Sequence, residues 1–150
     1  MEGNETTKMI VFRLGEEYYG IPVSLVGSIE RLQKITRIPK VPSFIKGVIN
    51  LRGVVTPVMD LKVRFGMPAE AFNEQTRMVI VQYADKEVGM IVDAANDVVD
   101  ITETQIESPP DVVGSIDKHF VKGVVNLKER LLIILDVEEL LEVTAEEITS

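Results

Sequence analysis

The chain contains two copies of one sequence pattern, and this repeat limits its fold more than any other feature. Residues 44–61 align with residues 120–137 at an offset of 76, and seven of the 18 aligned pairs are identical. Background composition would give about one identity. Further upstream, residues 9–23 align with 78–92 at an offset of 69. Two copies are too few for a solenoid, so we expect two similar subdomains that share one interface.

Each copy has the sequence signature of antiparallel strands joined by tight turns. In the first copy, β-branched and apolar runs flank the turn at Gly15 and the turn at Arg52-Gly53. The second copy has corresponding runs around Asp85-Lys86 and Lys128-Glu129. Short strands with short turns favour small barrels, because a closed barrel removes the exposed edges of a short sheet.

These patterns predict a single domain of the all-β class with short helices. Its two barrel subdomains would have core segments at about 9–66 and 77–137, and the chain is free to cross over between them. An acidic C-terminal tail is expected at 143–150. The apolar fraction of 45% is enough for a buried core, which excludes a disordered or fibrous chain.

Two apolar stripes with a three-residue spacing predict one or two helical turns in each copy. The first stripe is Val23, Val26 and Ile29, and the second is Ala95 and Val98. One interpretation is that both stripes are core and seal the ends of the barrels. The alternative is that they line a groove between the subdomains, suited to a partner's amphipathic helix.

Three polar residues have a predicted local role. Asp60 and Asp136 occupy equivalent places in the repeat, and we predict that both are helix N-caps. Arg52 stands beside Gly53 at a hairpin turn and should be exposed. It is either a solvated turn charge or an anchor in an interface, since arginine with an apolar rim is favoured there.

The residues that could support catalysis or metal binding are few. His119 is the one histidine and there is no cysteine, which excludes histidine-pair and thiolate metal sites. Asp93, Asp97 and Asp100 are spaced to share a helical face, either as a solvated surface or as oxygen ligands for a divalent cation. We predict a non-enzyme without cofactor or metal, and the alternative is a β-barrel that binds a small ligand or a divalent cation.

Charge limits the classes of partner. The net charge of −8 argues against a general grip on nucleic acid or anionic lipid. Residues 1–75 carry 10 basic and 8 acidic side chains, whereas residues 76–150 carry 6 and 16. No apolar stretch approaches the roughly 18 residues of a membrane span, and the N-terminus is polar, so we expect a cytoplasmic location.

The segment at 44–66, with its GVINLRG and PVMDL stretches, resembles the CheW family of bacterial chemotaxis coupling proteins. The likeness continues through IVFRLG at 10–15, YGIPV at 19–23, ITRIP at 35–39 and VGMIVD at 88–93. The same domain ends the CheA histidine kinase and begins the CheV proteins. A chain of 150 residues has no room for kinase, phosphotransfer or receiver segments, so it resembles the stand-alone coupling protein.

The resemblance implies both a fold and a role. The fold is two five-stranded SH3-like barrels packed around a shared hydrophobic core. The role is that of a non-catalytic adaptor between the tip of a chemoreceptor's cytoplasmic helical hairpin and the regulatory domain of the CheA kinase. Such an adaptor is monomeric when alone and is recruited to receptor arrays at the inner face of the membrane.

The resemblance also implies two contact surfaces. Carried over position by position, the receptor groove falls on Val23, Val26, Ile29, Arg52, Ala95 and Val98. The kinase contact can be carried over only loosely, to Ile10, Phe12, Leu14 and Gly89. Many members have a glutamate where this chain has Ser28, so a charged receptor contact is either absent here or moved to Glu30.

Overall fold

The computed structural model describes residues 5–68, 70–110 and 116–142. Within these residues the chain forms ten strands, which are β1 (Thr6–Leu14), β2 (Glu17–Pro22), β3 (Val26–Arg31), β4 (Ile45–Leu51), β5 (Val54–Asp60), β6 (Arg77–Tyr83), β7 (Lys86–Val92), β8 (Ala94–Thr102), β9 (Val121–Leu127) and β10 (Arg130–Leu135). The helices are short: α1 (Leu61–Arg64), α2 (described over 137–142) and the 3-10 turns Val23–Leu25, Glu103–Gln105 and Lys118–Phe120. The predicted β class with short helices is confirmed. The tail predicted at 143–150 lies outside the described residues.

The strands form two five-stranded sheets, and each sheet combines strands of both sequence copies. Sheet I has the order β8-β1-β2-β10-β9, and sheet II has the order β3-β6-β7-β5-β4. Strands β1 to β5 correspond in the repeat to β6 to β10, so each sheet takes two strands from one copy and three from the other. The chain crosses from sheet I to sheet II after β2 and returns after β7.

Each sheet is closed by a short bridge between its two edges. The backbone of Thr36, which follows β3, donates to and accepts from Val48 of β4, with both N–O distances at 2.8 Å. Glu107 and Val124 make the equivalent pair in sheet I at 2.8 and 2.9 Å. These bridges pair edge groups that would otherwise be free, and they turn each sheet into a small barrel, called barrel I and barrel II below.

A shared core lies between the two barrels. Stacked rings run through it, since the ring centroids of Phe12 and Tyr19 are 5.8 Å apart and those of Tyr19 and Phe65 are 6.1 Å apart. Phe65 lies a further 6.1 Å from Phe120. These residues come from both copies, and they belong to the largest buried cluster, which contains residues of both sheets. A smaller cluster fills each barrel separately, one around Val11 and Leu132 and the other around Val58 and Ile80. The shared hydrophobic core implied by the resemblance is therefore confirmed.

The two predicted N-caps are confirmed. The carboxylate of Asp60 accepts hydrogen bonds from the backbone N–H groups of Lys62 and Val63 at the start of α1. Asp136 accepts from the N–H of Glu139 at 3.1 Å at the start of α2. Each cap satisfies helix donors that have no partner within the helix.

The helical turns predicted from the two apolar stripes are wrong except for the 3-10 turn Val23–Leu25. Val26 and Ile29 belong to strand β3, and Ala95 and Val98 belong to strand β8. Valine and isoleucine suit a pleated surface, and both strands gain a partner along their full length, β6 for β3 and β1 for β8. This pairing outweighs a weak helical periodicity.

Candidate partner-binding groove

A β-bulge in β3 sets the positions of the first apolar stripe. Val26 pairs with Val81 and Ser28 pairs with Ile80, so Gly27 is one additional residue in β3. Side chains normally alternate between the faces of a strand, and one extra residue shifts that alternation. Ile29 therefore lies on the same face as Val26 although the two are three positions apart in the sequence.

The second stripe has the same geometry on β8. Val98 pairs with Ile10 and Ala95 pairs with Phe12, which leaves Asn96 as the additional residue. Val98 and Ala95 consequently share the face of β1 that carries Ile10 and Phe12, two members of the central cluster. The repeat has thus preserved a bulge, and a bulge is the reason that a strand shows a helix-like spacing of three. A lone glycine within a β-branched run, Gly27, was the one sequence signal that could have revealed it.

Each stripe is partly core and partly surface. Val23 and Val26 are half-buried and pack against the central cluster. Ala95 is also half-buried. Ile29 is 41% exposed and Val98 is 51% exposed. The structure therefore has an exposed aliphatic residue at equivalent places on β3 and β8, each beyond a half-buried residue of the same face.

Arg52 is next to this surface but on the other face of β3. Its guanidinium lies 3.5 Å from the hydroxyl of Ser28 and 3.5 Å from the carboxylate of Glu30. Both residues alternate with Ile29 along the strand. The Arg52 side chain is 69% exposed, as predicted for the turn, and its backbone has a φ of 52°. The structure thus brings Arg52 to the same strand as the apolar stripe and to the open end of barrel II.

An arginine occupies the open end of barrel I as well, although sequence reasoning did not identify it. Arg130 lies 3.7 Å from the carboxylate of Asp97 and packs 4.3 Å over the ring of Tyr18. Asp97 is the repeat equivalent of Ser28, so each barrel end joins its hairpin to the bulged strand through an arginine. The two arginines come from different positions of the hairpin, which is why the repeat alignment did not match them.

The residues to which a kinase contact was carried over lie inside the fold. Phe12 and Leu14 are fully buried and Ile10 is 7% exposed, all within the central cluster. Gly89 is paired on both sides within β7, and a Cβ placed on it would stand 3.2 Å from Ile80 Cδ1. The side chains of Ile10, Phe12 and Leu14 do not form a surface in this structure, because the face of β1 that carries them packs into the central cluster.

The aspartates predicted to share a helical face are separated, because the segment is a strand. The three carboxylates form different ion pairs: Asp93 with Lys62 at 3.1 Å, Asp97 with Arg130 at 3.7 Å and Asp100 with Lys8 at 3.0 Å. Over the described residues, no three His, Cys, Asp or Glu side chains converge as metal ligands would. His119 pairs with Glu139 at the surface.

A buried lysine connects the two barrels at the return crossover. The carboxylate of Asp93 accepts a hydrogen bond from the N–H of Gly15 at 2.7 Å and pairs with Lys62, which also contacts Glu70. Burial by itself lowers the pKa of Lys62, but the hydrogen bonds to Glu70 and Asp93 outweigh it, and the pKa is raised above its ordinary value of 10.5. The arrangement fixes the β1–β2 turn against α1. It lies beside an open cavity of about 540 Å³ that is lined partly by Leu14.

The exchange of strands between the copies makes the difference in net charge between the two barrels larger than that between the two sequence halves. The segment that supplies sheet II, 26–93, carries 10 basic and 7 acidic side chains, a net charge of +3. The segments 1–25 and 94–150, which supply sheet I, carry 6 basic and 17 acidic side chains, a net charge of −11. The difference is larger than between the two halves of the sequence.

Among the helices of the described residues, none has the length and apolar character needed to cross a membrane.

A family model described as "CheW-like domain" matches residues 8–145. The chain is 47% identical over 135 residues to the chemotaxis protein CheW of Bacillus subtilis, covering 90% of this chain and 86% of that protein. It is 37% identical to the Klebsiella aerogenes protein of the same name, covering 89% and 81%. Among solved structures, the scaffolding protein TtCheW of Thermoanaerobacter tengcongensis matches with a TM-score of 0.82 and 39% identity, covering 91% of this chain and 88% of that one.

Proposed function

The chain belongs to the CheW family of chemotaxis proteins, and from this membership we propose that it is a non-catalytic cytoplasmic adaptor that couples chemoreceptors to the CheA histidine kinase. Such an adaptor transmits a signal by binding differently to the two signalling states of a receptor. It needs two separate contact surfaces, one for each partner.

The receptor surface in this proposal is the groove face of β3 and β8, with Ile29 and Val98 as its exposed centre. The observation that carries the proposal is their position, since they are equivalent in the repeat and are 41% and 51% exposed. Val26 and Ala95 form the floor, Val23 lies near the edge and Arg52 reaches the rim from the other face of β3. An amphipathic helix laid on such a surface would cover aliphatic side chains on both barrels.

A binding titration with a soluble fragment of a receptor's cytoplasmic hairpin tests this surface. Val98→Asp places a charge in the apolar contact and should weaken binding at least about tenfold. Arg52→Ala should weaken it less, because a rim charge contributes little. Val55→Asp is the matched control, since Val55 is 67% exposed and belongs to the β4–β5 hairpin rather than to β3 or β8. Unchanged affinity for Val98→Asp would exclude the groove assignment.

The kinase surface in this proposal is formed by barrel ends rather than by the buried residues of β1 and β7. Val55 and Leu131 are equivalent in the repeat, follow the hairpin turns of the two barrels, and are 67% and 41% exposed. We expect Leu131→Asp and Val55→Asp to reduce binding of the CheA regulatory domain while binding of the receptor fragment is retained. Because barrel I is acidic, its association should weaken with added salt, and an affinity that does not change with salt would contradict that part.

A further inference from the structure

A second surface is formed by the segment between β3 and β4, which repeats one triplet four times. Residues 31–42 read RLQ-KIT-RIP-KVP, with a cation first and an aliphatic residue second in every triplet. From residue 31 to residue 59 the chain has six Lys and Arg and no Asp or Glu. In a chain of net charge −8, this run is the longest stretch without an acidic residue.

The structure separates the two residue types of these triplets. Leu32 and Ile35 pack against the cluster inside barrel II, and Ile38 and Val41 pack against the central cluster. The segment runs without regular secondary structure, apart from the bridge at Thr36. A side chain that recurs every three residues points the same way along an extended, threefold chain.

The cations stand on the outside of this segment. Four side chains are exposed: Arg31, Lys34, Arg37 and Lys40. Across the ranges 5–68, 70–110 and 116–142, none of the four forms an ion pair or a side-chain hydrogen bond. From Arg31 to Arg37, at about 3.1 Å per residue in an extended threefold chain, successive charges stand about 9 Å apart. Lys40 follows at a bend of the chain and has a φ of 60°. We call these four residues the cationic ridge.

The fold itself does not require this charge. The equivalent stretch of the second copy makes the same closing bridge, through Glu107 and Val124, and carries acidic residues instead. Asp100, Glu103 and Glu107 are exposed there. The same structural role is thus filled by either sign of charge, and the cationic ridge is free to serve recognition.

We propose that the cationic ridge is a docking surface for an extended protein segment that carries a carboxylate at every third residue. A partner segment in the polyproline II conformation advances about 3.1 Å per residue with three residues per turn, so its carboxylates recur on one side at about 9 Å and match the spacing from Arg31 to Arg37. Nucleic acid fits less well because the surrounding protein is strongly negative and aromatic residues for stacking on bases make up only 5% of the chain. Arg31 is on β3 beside Ile29, but Lys34 and Arg37 lie outside β3 and β8. Failure of the docking site at Lys34 and Arg37 would therefore leave the proposed receptor contact at Ile29 and Val98 untouched.

Two labelled peptides of identical composition test the proposal by fluorescence anisotropy with the intact protein. One is four repeats of Glu-Ser-Thr, and the other has its four glutamates in one block followed by serine and threonine. We expect the spaced peptide to bind several-fold tighter than the block peptide, and its affinity to fall several-fold as salt rises from about 20 to 200 mM.

Variants then locate the site. Lys34→Gln with Arg37→Gln should weaken the spaced peptide about three- to tenfold, since each exposed pair is worth about two- to fivefold. Lys122→Gln, which removes an exposed cation of β9, should leave the affinity unchanged. Equal affinity for the two peptides, no effect of the double variant, or tighter ridge-dependent binding of a DNA oligonucleotide would each overturn the proposal. Ridge-dependent self-association in sedimentation velocity would also overturn it, by assigning the surface to a second copy.

Discussion

Gly47 lies so close to the carbonyl oxygen of Thr36 that a Cβ on Gly47 would stand 2.1 Å from that oxygen. The backbone of Gly47 also has a φ of 144°, a region that side-chain-bearing residues rarely adopt. Both features result from the bridge that closes barrel II. We therefore predict that Gly47→Ala lowers the free energy of unfolding by about 3 kcal/mol or more, measured by denaturant titration.

Two other glycines calibrate this prediction. A Cβ on Gly123 would meet Ile106 Cγ2 at 2.6 Å and the Glu107 carbonyl oxygen at 2.7 Å, so Gly123→Ala should cost nearly as much. Gly53 has a φ of 85°, but a Cβ added there would meet no atom within 4 Å, and Gly53→Ala should cost only about 1–2 kcal/mol. Equal losses at Gly47 and Gly53 would show that the close approach to Thr36 is unimportant.

Lys62 stabilises the folded protein, and we expect this stabilisation to be lost at alkaline pH. Its pKa is raised above 10.5 in the folded protein, so the stabilisation is complete below the unfolded value and is lost as the pH rises through the folded one. Lys62→Met removes the partner of Asp93 and should cost about 1–3 kcal/mol at pH 7. Denaturant titrations should show this difference shrinking above pH 10.5. A difference that is constant with pH would mean that lost packing, rather than charge, explains the cost.

The strands and caps of this fold are largely predictable from the sequence, because their signals are local. Runs of β-branched residues on either side of Arg52-Gly53 specify a hairpin whatever surrounds it. Asp60 and Asp136 cap helices through neighbouring N–H groups. Such features need no knowledge of distant residues.

The exchange of strands between the copies could not be predicted in the same way. Both copies have the same pattern, so β2 could pair as well with β5 as with β10 on local grounds alone. The choice depends on the crossovers after Pro22 and Val92, where the chain is directed into the other sheet. The face of β3 that Arg52 contacts could not be predicted either. It depends on the bulge at Gly27, which shifts the alternation of side chains between the two faces by one residue.

Arg64 is held between Phe44 and Phe120, two residues that are equivalent in the repeat. Its guanidinium carbon is 4.5 Å from the centre of the Phe44 ring and 4.9 Å from that of Phe120. Cation–π contacts that are partly shielded from water contribute about 0.5–2 kcal/mol each. We predict that Arg64→Met lowers the free energy of unfolding by about 1–3 kcal/mol.

A double-mutant cycle tests the origin of that loss. Arg64→Met combined with Phe44→Leu should show a coupling energy of about 0.5–1 kcal/mol, because the two residues share one contact. Phe72→Leu is a suitable control, since Phe72 is 42% exposed and is not in ring contact with Arg64. Strict additivity of Arg64→Met and Phe44→Leu would contradict a direct interaction.

Tyr83 reports on the packing of α2 against the end of β6. A hydrogen bond to Glu138 and partial burial raise the pKa of the Tyr83 hydroxyl to about 12. The folded state therefore favours the neutral phenol. The resulting contribution to the free energy of unfolding is present below pH 10 and is lost as the pH approaches 12.

Absorbance titration of the wild type against Tyr83→Phe isolates this group, because the titrations of the three tyrosines otherwise overlap. Glu138→Gln should lower the midpoint assigned to Tyr83 back toward 10, whereas Glu129→Gln in the β9–β10 turn should not. A midpoint that stays near 12 in Glu138→Gln would mean that the hydrogen bond to Glu138 is not the main cause, and that burial and the charges of Glu142 and Asp136 raise the pKa of Tyr83.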